Sequence, residues 1–235
     1  MIEHIPSARI YRATPTDWLD SLHHFSFAEY YDPRNMGFGA LRVLNDDIIA
    51  GRSGFDLHPH RDMEIITYMI SGELAHRDSL GNSGAIRRGD VQYMSAGRGI
   101  VHSEHNLADG PARLLQIWVL PSVRGLEPAY GQRRFDARDR KNRLLPIASG
   151  ADSAAPIRLN QDASMYAAEL DDGAALSFDV EKGRQCYLVQ VEGGARVNGA
   201  ALQERDALKA AGESLEIRAE GRAHVFLIEM AAPGS

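Results

Sequence analysis

Gly54-Phe-Asp-Leu-His58-Pro-His60-Arg-Asp-Met-Glu64 decides the reading of this chain. Its echo is Ser95-Ala-Gly-Arg-Gly-Ile-Val-His102-Ser-Glu104-His105-Asn106. Both segments read as β, and in a strand residues i and i+2 share a face. His58 and His60 therefore present two imidazoles to one point. His102 and Glu104 present an imidazole and a carboxylate. Where two such strands meet inside a barrel, four nitrogen and oxygen ligands converge on a metal ion. Glu64 shares even parity with His58 and His60, so parity alone leaves it open as a further ligand.

The rest of the chain frames that motif. Helical periodicity is weak, and short apolar runs alternate with Gly, Asn, Asp and Pro, as in all-β barrels and sandwiches. Expected strands include 39–44, 47–52, 64–73, 74–78, 90–94 and 113–120. Ser71-Gly72-Glu73 and Val197-Asn198-Gly199-Ala200 read as hairpin turns. The chain has 235 residues, enough for two β domains. The expected division is an N-terminal metal-binding domain over 1–131, a connector over 132–146 and a metal-free domain over 147–235. Eight of the nine histidines and both tryptophans lie before residue 120, so the chemistry is assigned to the first domain. The connector carries Arg133, Arg134, Arg138, Arg140, Lys141 and Arg143 beside Asp136 and Asp139. A solvated segment with internal ion pairs is favoured there over a nucleic-acid patch, because the net charge is −6.

Other function classes fall away on composition. No apolar run is long enough to span a membrane. The N-terminus lacks the basic and apolar regions of a secretory signal. A single cysteine, Cys186, allows no internal disulfide, and a reducing cytoplasm is the expected location. Cys186 reads as a small buried hydrophobe.

Gly54-x3-His58-x-His60-x3-Glu64, followed by Gly72, resembles the first cupin motif, and Gly89-x7-Gly97-x4-His102-x3-Asn106 resembles the second. Within cupins the chain is most similar to the pirin family. The similarity rests on His58-Pro-His60-Arg-Asp-Met-Glu64, His76-Arg-Asp-Ser-Leu-Gly-Asn82, the stretch from Met94 to Glu104, Gln116-Ile-Trp118 and Gln132-Arg-Arg-Phe135. It implies an all-β bicupin, two antiparallel β-barrels in one chain with metal only in the first. It also implies His58, His60, His102 and Glu104 as the ligands of one divalent transition metal. Fe(II) is expected first, with Cu, Ni, Co, Mn or Zn as alternatives. Some pirins are quercetinases, which open flavonols such as quercetin with O2 and release carbon monoxide. On that model Glu104 is both ligand and catalytic base. Others, chiefly the animal member, are iron-dependent nuclear cofactors of transcription factors, so a metal-binding regulatory protein that acts through protein partners is the alternative. A flavonol, no membrane, no nucleic acid and a monomeric state complete the expectation. Phe38, Phe55, Met63, Tyr93, Met94 and Ile100 are candidate pocket residues. His76 reads as a turn-stabilising side chain, His105 points away from the site by parity, His23 or His24 packs near the barrel mouth, and His4 and His224 look incidental.

Overall fold

The computed structural model describes residues 1–152 and 155–233. It is nearly all β, as the punctuation predicts, and divides into two compact units. One comprises Tyr11–Phe135. The other comprises Asp136–Ser235 together with Met1–Ile10. The sequence placed residues 1–10 with the first domain. In the structure the N-terminal strand β1 (Ile2–Ile5) pairs with a strand near the other end of the chain, Ile2 against Ala210 and Ile5 against Ala207.

The Tyr11–Phe135 unit holds two antiparallel sheets. Its strands are β2 (Tyr11–Thr16), β3 (Leu19–His23), β4 (Leu41–Ile49), β5 (Ser53–His60), β6 (Glu64–Ser71), β7 (Glu73–Asp78), β8 (Ser83–Arg87), β9 (Val91–Ser95), β10 (Ile100–Asn106), β11 (Ala112–Val119) and β12 (Ala129–Arg133). The larger sheet runs β12-β9-β6-β11-β4-β3-β2, and the smaller runs β5-β10-β7-β8. Leu19, Ile49, Met69, Leu74 and Leu114 pack in one buried cluster, and Ile65, Met94, Ala96 and Ile100 in another. Apolar side chains from both sheets thus form the core that fixes their spacing.

Two local readings bear on the site. The Ser71-Gly72-Glu73 turn forms as expected between β6 and β7. Gly72 takes φ of +77°, and a Cβ there would lie 2.8 Å from the Cα of Ala112, so the position needs glycine. The two short strands expected at 39–44 and 47–52 are instead one continuous strand, β4. Asn45-Asp46-Asp47 resembles a turn in sequence, yet each residue stays in the ladder because its side chain has a place. Asp46 accepts two hydrogen bonds from the Arg113 guanidinium at 2.9 and 2.8 Å, Asp47 accepts from the Ser21 hydroxyl, and Asn45 faces the cavity described below.

Among the described residues the other unit is built on one nine-stranded sheet. Its remaining strands are β13 (Leu145–Ser149), β14 (Ile157–Arg158), β15 (Ala163–Leu170), β16 (Ala175–Phe178), β17 (Arg184–Val197), β18 (Ala200–Leu202), β19 (Ala207–Ala211) and β20 (Leu215–Ala231). The Asn198-Gly199 hairpin joins β17 to β18 with positive φ at both residues, +45° and +87°, as a two-residue turn requires. Cys186 is fully buried, and burial pushes its thiol up, so it is an inert core residue. Several basic residues after Phe135 are paired: Arg138 with Asp136, Arg143 with Asp139, Lys141 with Asp171, and the buried Arg140 with Glu169. Among the described residues no helix is long and apolar enough to cross a membrane.

Candidate metal centre

The β5–β10 ladder brings the histidines together. Its register sets His102 against His58, Val101 against Pro59 and Ile100 against His60. The ring centroids lie 4.4 Å apart for His58–His102, 4.8 Å for His58–His60 and 4.9 Å for His60–His102. One nitrogen from each ring lies within 4.8 Å of the others. On the far side of β10, β7 sets His76 against Glu104, and His76, His102 and Glu104 form a second trio by the same measure. His102 is common to both, so four ligand-type side chains surround it: His58, His60, His76 and Glu104.

Hydrogen bonds fix which atoms face the site. His58 Nδ1 lies 2.7 Å from the Asp56 carbonyl, which only accepts, so Nδ1 carries the proton and Nε2 keeps its lone pair. The Gln92 amide nitrogen donates to Glu104 Oε1 at 3.2 Å and lies 3.1 Å from His76 Nδ1. His76 Nδ1 is therefore an acceptor, and its Nε2 proton points to Asp78 at 3.4 Å. His102 Nδ1, 3.4 Å from that His76 nitrogen, carries its own proton. His102 Nε2 is left as a lone pair, buried and without a hydrogen-bond partner among the described residues. A buried lone pair beside two more imidazoles and a carboxylate fits a divalent transition metal.

Electrostatics point the same way. Burial, then the neighbouring His58, lowers the His60 pKa to about 4. Burial, then His58, His60 and His76, lowers that of His102 to about 2. Both rings are neutral at physiological pH, the form that binds a metal. Burial raises Glu104 above the usual carboxylate range, against the imidazoles and the hydrogen bonds that favour its charged form. Those bonds come from the larger sheet. Gln116 donates to Oε2 at 2.9 Å and in turn accepts the Thr67 hydroxyl at 3.0 Å.

A cavity of about 150 Å³ opens against His58, His60 and Glu104. Leu19, Phe27, Phe55 and Trp118 supply its apolar wall, and the Trp118 ring meets His60 edge-on with centroids 4.8 Å apart. Of the expected pocket residues, Phe55 lines it. Met63, Met94 and Ile100 pack in the core cluster instead, and Tyr93 donates its hydroxyl to Glu64 at 2.7 Å. Glu64 is buried at that bond and belongs to neither trio. Phe38 forms a short bridge with Leu41 rather than lining the cavity.

Other histidines partly follow and partly depart from their sequence readings. His76 does bond the Asp78 turn, but its buried ring is also part of the second trio. His23 lines the cavity. His4 and His224, which looked incidental, each meet a carboxylate, Asp206 at 2.9 Å and Glu192 at 3.0 Å. Sequence reasoning missed Thr67, Gln92 and Gln116. Their signal was a lone polar residue in the middle of each apolar strand.

Comparison with known proteins bears on the family. The pirin family model matches residues 7–119, and the model of the quercetinase C-terminal cupin domain matches 146–230. A quercetin 2,3-dioxygenase of Escherichia coli is 40% identical over 215 residues, 91% of this chain and 92% of that one.

The chain belongs to the pirin family. A pirin-like protein of Caulobacter vibrioides is 47% identical over 190 residues, 80% of this chain and 82% of the relative. The crystal structure of the bacterial pirin YhhW from Escherichia coli in complex with nickel(II) superposes with a TM-score of 0.92 at 36% identity, covering 99% of this pirin and 100% of YhhW. The two units are accordingly two cupin domains of one all-β bicupin.

Proposed function

We propose that this pirin is a metal-dependent dioxygenase that opens a flavonol such as quercetin with O2 and releases carbon monoxide. His58, His60, His102 and Glu104 would hold the metal. Fe(II) is the first candidate, and nickel(II) gains support from the YhhW complex. The observation that carries the reading is that His58, His60 and the buried Glu104 line one cavity, while His102 joins the two imidazoles in one trio and Glu104 in the other. When bound, the metal supplies Lewis acidity to a coordinated hydroxyl and lowers its pKa.

The protein's own groups do the rest. Glu104 takes the hydroxyl proton. Its raised pKa brings it closer to the proton it must accept, and the Gln116 amide holds its Oε2 in place. Phe55 and Trp118 flank the flat substrate and exclude water from the reacting edge. The cavity is smaller than the roughly 300–1,000 Å³ usual for whole small-molecule sites, so one edge of the flavonol enters and the rest stays at the mouth.

The test is incubation of protein loaded in turn with Fe, Ni, Co, Mn or Cu with quercetin in air. Loss of the flavonol absorbance with stoichiometric carbon monoxide is the expected result for at least one metal. Absence of turnover with all of them would overturn the enzymatic reading in favour of a regulatory metal protein.

A further inference from the structure

Six polar residues form one row across the larger sheet of the Tyr11–Phe135 unit. Gln132 on β12 stands against Gln92 on β9, Gln92 against Thr67 on β6, Thr67 against Gln116 on β11, Gln116 against Asn45 on β4, and Asn45 against His23 on β3. Cross-strand partners share a face of the sheet. The central members of the row serve the metal centre, where Gln92 and Gln116 bond Glu104 and Thr67 bonds Gln116. The β4–β3 end continues past Glu104 along the cavity wall.

That end has bonding capacity left over. Asn45 and His23 are each 3% exposed, and both line the cavity. Asn45 Oδ1 and His23 Nδ1 are buried with no hydrogen-bond partner among the described residues. Buried polar groups are ordinarily paired, and two adjacent exceptions on one cavity wall point to a ligand that completes them. Burial lowers the His23 pKa, so its ring is neutral. An amide oxygen only accepts, so the ligand must bring a donor. Asp47, two residues along β4 on the same face and also lining the cavity, disfavours a carboxylate there. A neutral hydroxyl satisfies every one of these conditions.

We propose that Asn45 and His23 form a specificity wall that reads a second hydroxyl on the edge of the aromatic ligand that enters the cavity, apart from the hydroxyl presented to the imidazoles. The inference rests on the flavonol reading of this cavity and adds what that reading leaves open: which part of the protein separates a polyhydroxylated ring system from the same skeleton without those groups. Asn45 Oδ1 accepts the ligand O–H, and His23 Nδ1 is the second partner of the same oxygen or its neighbour. A site built to bond a hydroxyl rejects the analogue that lacks it, because the protein groups then stay unpaired.

The experiment compares quercetin with 3-hydroxyflavone, which keeps the skeleton and only the hydroxyl meant for the metal. Binding is measured anaerobically by calorimetry on the metal-loaded full chain, and kcat/KM is measured in air. The wild type is expected to prefer quercetin by about tenfold or more. Asn45→Leu should bring the ratio close to one, while Asn45→Thr, which keeps an oxygen acceptor on a β-branched strand former, should retain most of it. His23→Phe gives a second reading of the ratio if Asn45→Leu fails to fold, as judged by melting and metal content. A wild type that binds both ligands without preference, or an Asn45→Leu variant that keeps the full ratio, overturns the wall and leaves the dioxygenase reading standing. A wild type that binds neither flavonol overturns both.

Discussion

His102 stands directly across the β5–β10 ladder from His58, whereas Glu104, two residues on, stands against Phe55 rather than Asp56. One extra residue on β5 is absorbed between them, a β-bulge of the kind that re-aims side chains beside functional sites. The unshifted pair keeps two imidazoles opposite one another, their rings 4.4 Å apart and tilted by 50°. The shifted one turns the ladder where Glu104 meets Gln116 and Gln92 of the larger sheet. Next to the bulge, a Cβ on Gly54 would lie 2.2 Å from the Glu104 carbonyl oxygen and 2.6 Å from the His105 Cα. Gly54→Ala must therefore push the two strands apart. It should destabilise the protein by about 1–3 kcal/mol, seen as a lower urea midpoint, with metal affinity falling alongside.

Glu104→Gln keeps the shape of the side chain and an oxygen ligand but removes the base. Metal content, measured by elemental analysis, should stay near that of the wild type. Turnover should fall by about 10²–10⁴-fold. Unchanged turnover in the Gln variant would remove Glu104 from its proposed role.

Gln116→Leu tests how the carboxylate is held. The Gln116 donor at 2.9 Å stabilises the charged form of Glu104, so its loss leaves the carboxyl pKa higher still. A base must be deprotonated to work, so the acid limb of the kcat/KM profile should move to higher pH. Activity at the optimum should fall by about 10–100-fold. A drop in activity with no movement of the acid limb would mean that Gln116 acts only through packing.

Asp206 anchors the N-terminal strand. It accepts hydrogen bonds from the Ser7 backbone at 2.7 Å, His4 at 2.9 Å and the Gln203 backbone at 3.0 Å. Burial alone would raise its pKa, but the bonds from Gln203, Ser7 and His4 outweigh that and hold it below the ordinary carboxylate value. A depressed carboxyl contributes its stability above the unfolded pKa and loses it as the pH falls through the folded one. Acidification below about pH 4 should therefore release β1 first, visible as faster hydrogen exchange at residues 2–5. Asp206→Ala should release it at neutral pH, at a cost of about 1–3 kcal/mol.

The imidazole cluster was legible in the sequence because it depends on local geometry. A period of two places His58 beside His60 whatever the rest of the fold does, and the second motif repeats the device. The row from Gln132 to His23 was not legible, because its members lie on six strands and meet only through register. A single Gln or Thr inside an apolar strand carries no label that says which partner it will face. Asn45-Asp46-Asp47 shows the converse failure. Its composition favours a turn, but the distant Arg113 and Ser21 keep it extended. The pairing of β1 with β19 is likewise a contact between the two ends of the sequence that local patterns do not encode.

Trp118 meets His60 edge-on, and Trp18 packs at 5.1 Å against Phe55 on the cavity wall. These are the chain's two tryptophans. All of its indole emission thus arises within one side chain of the proposed metal and substrate. A paramagnetic ion or a light-absorbing flavonol entering the site would quench it, so the unlabelled protein carries its own optical reporter of occupancy.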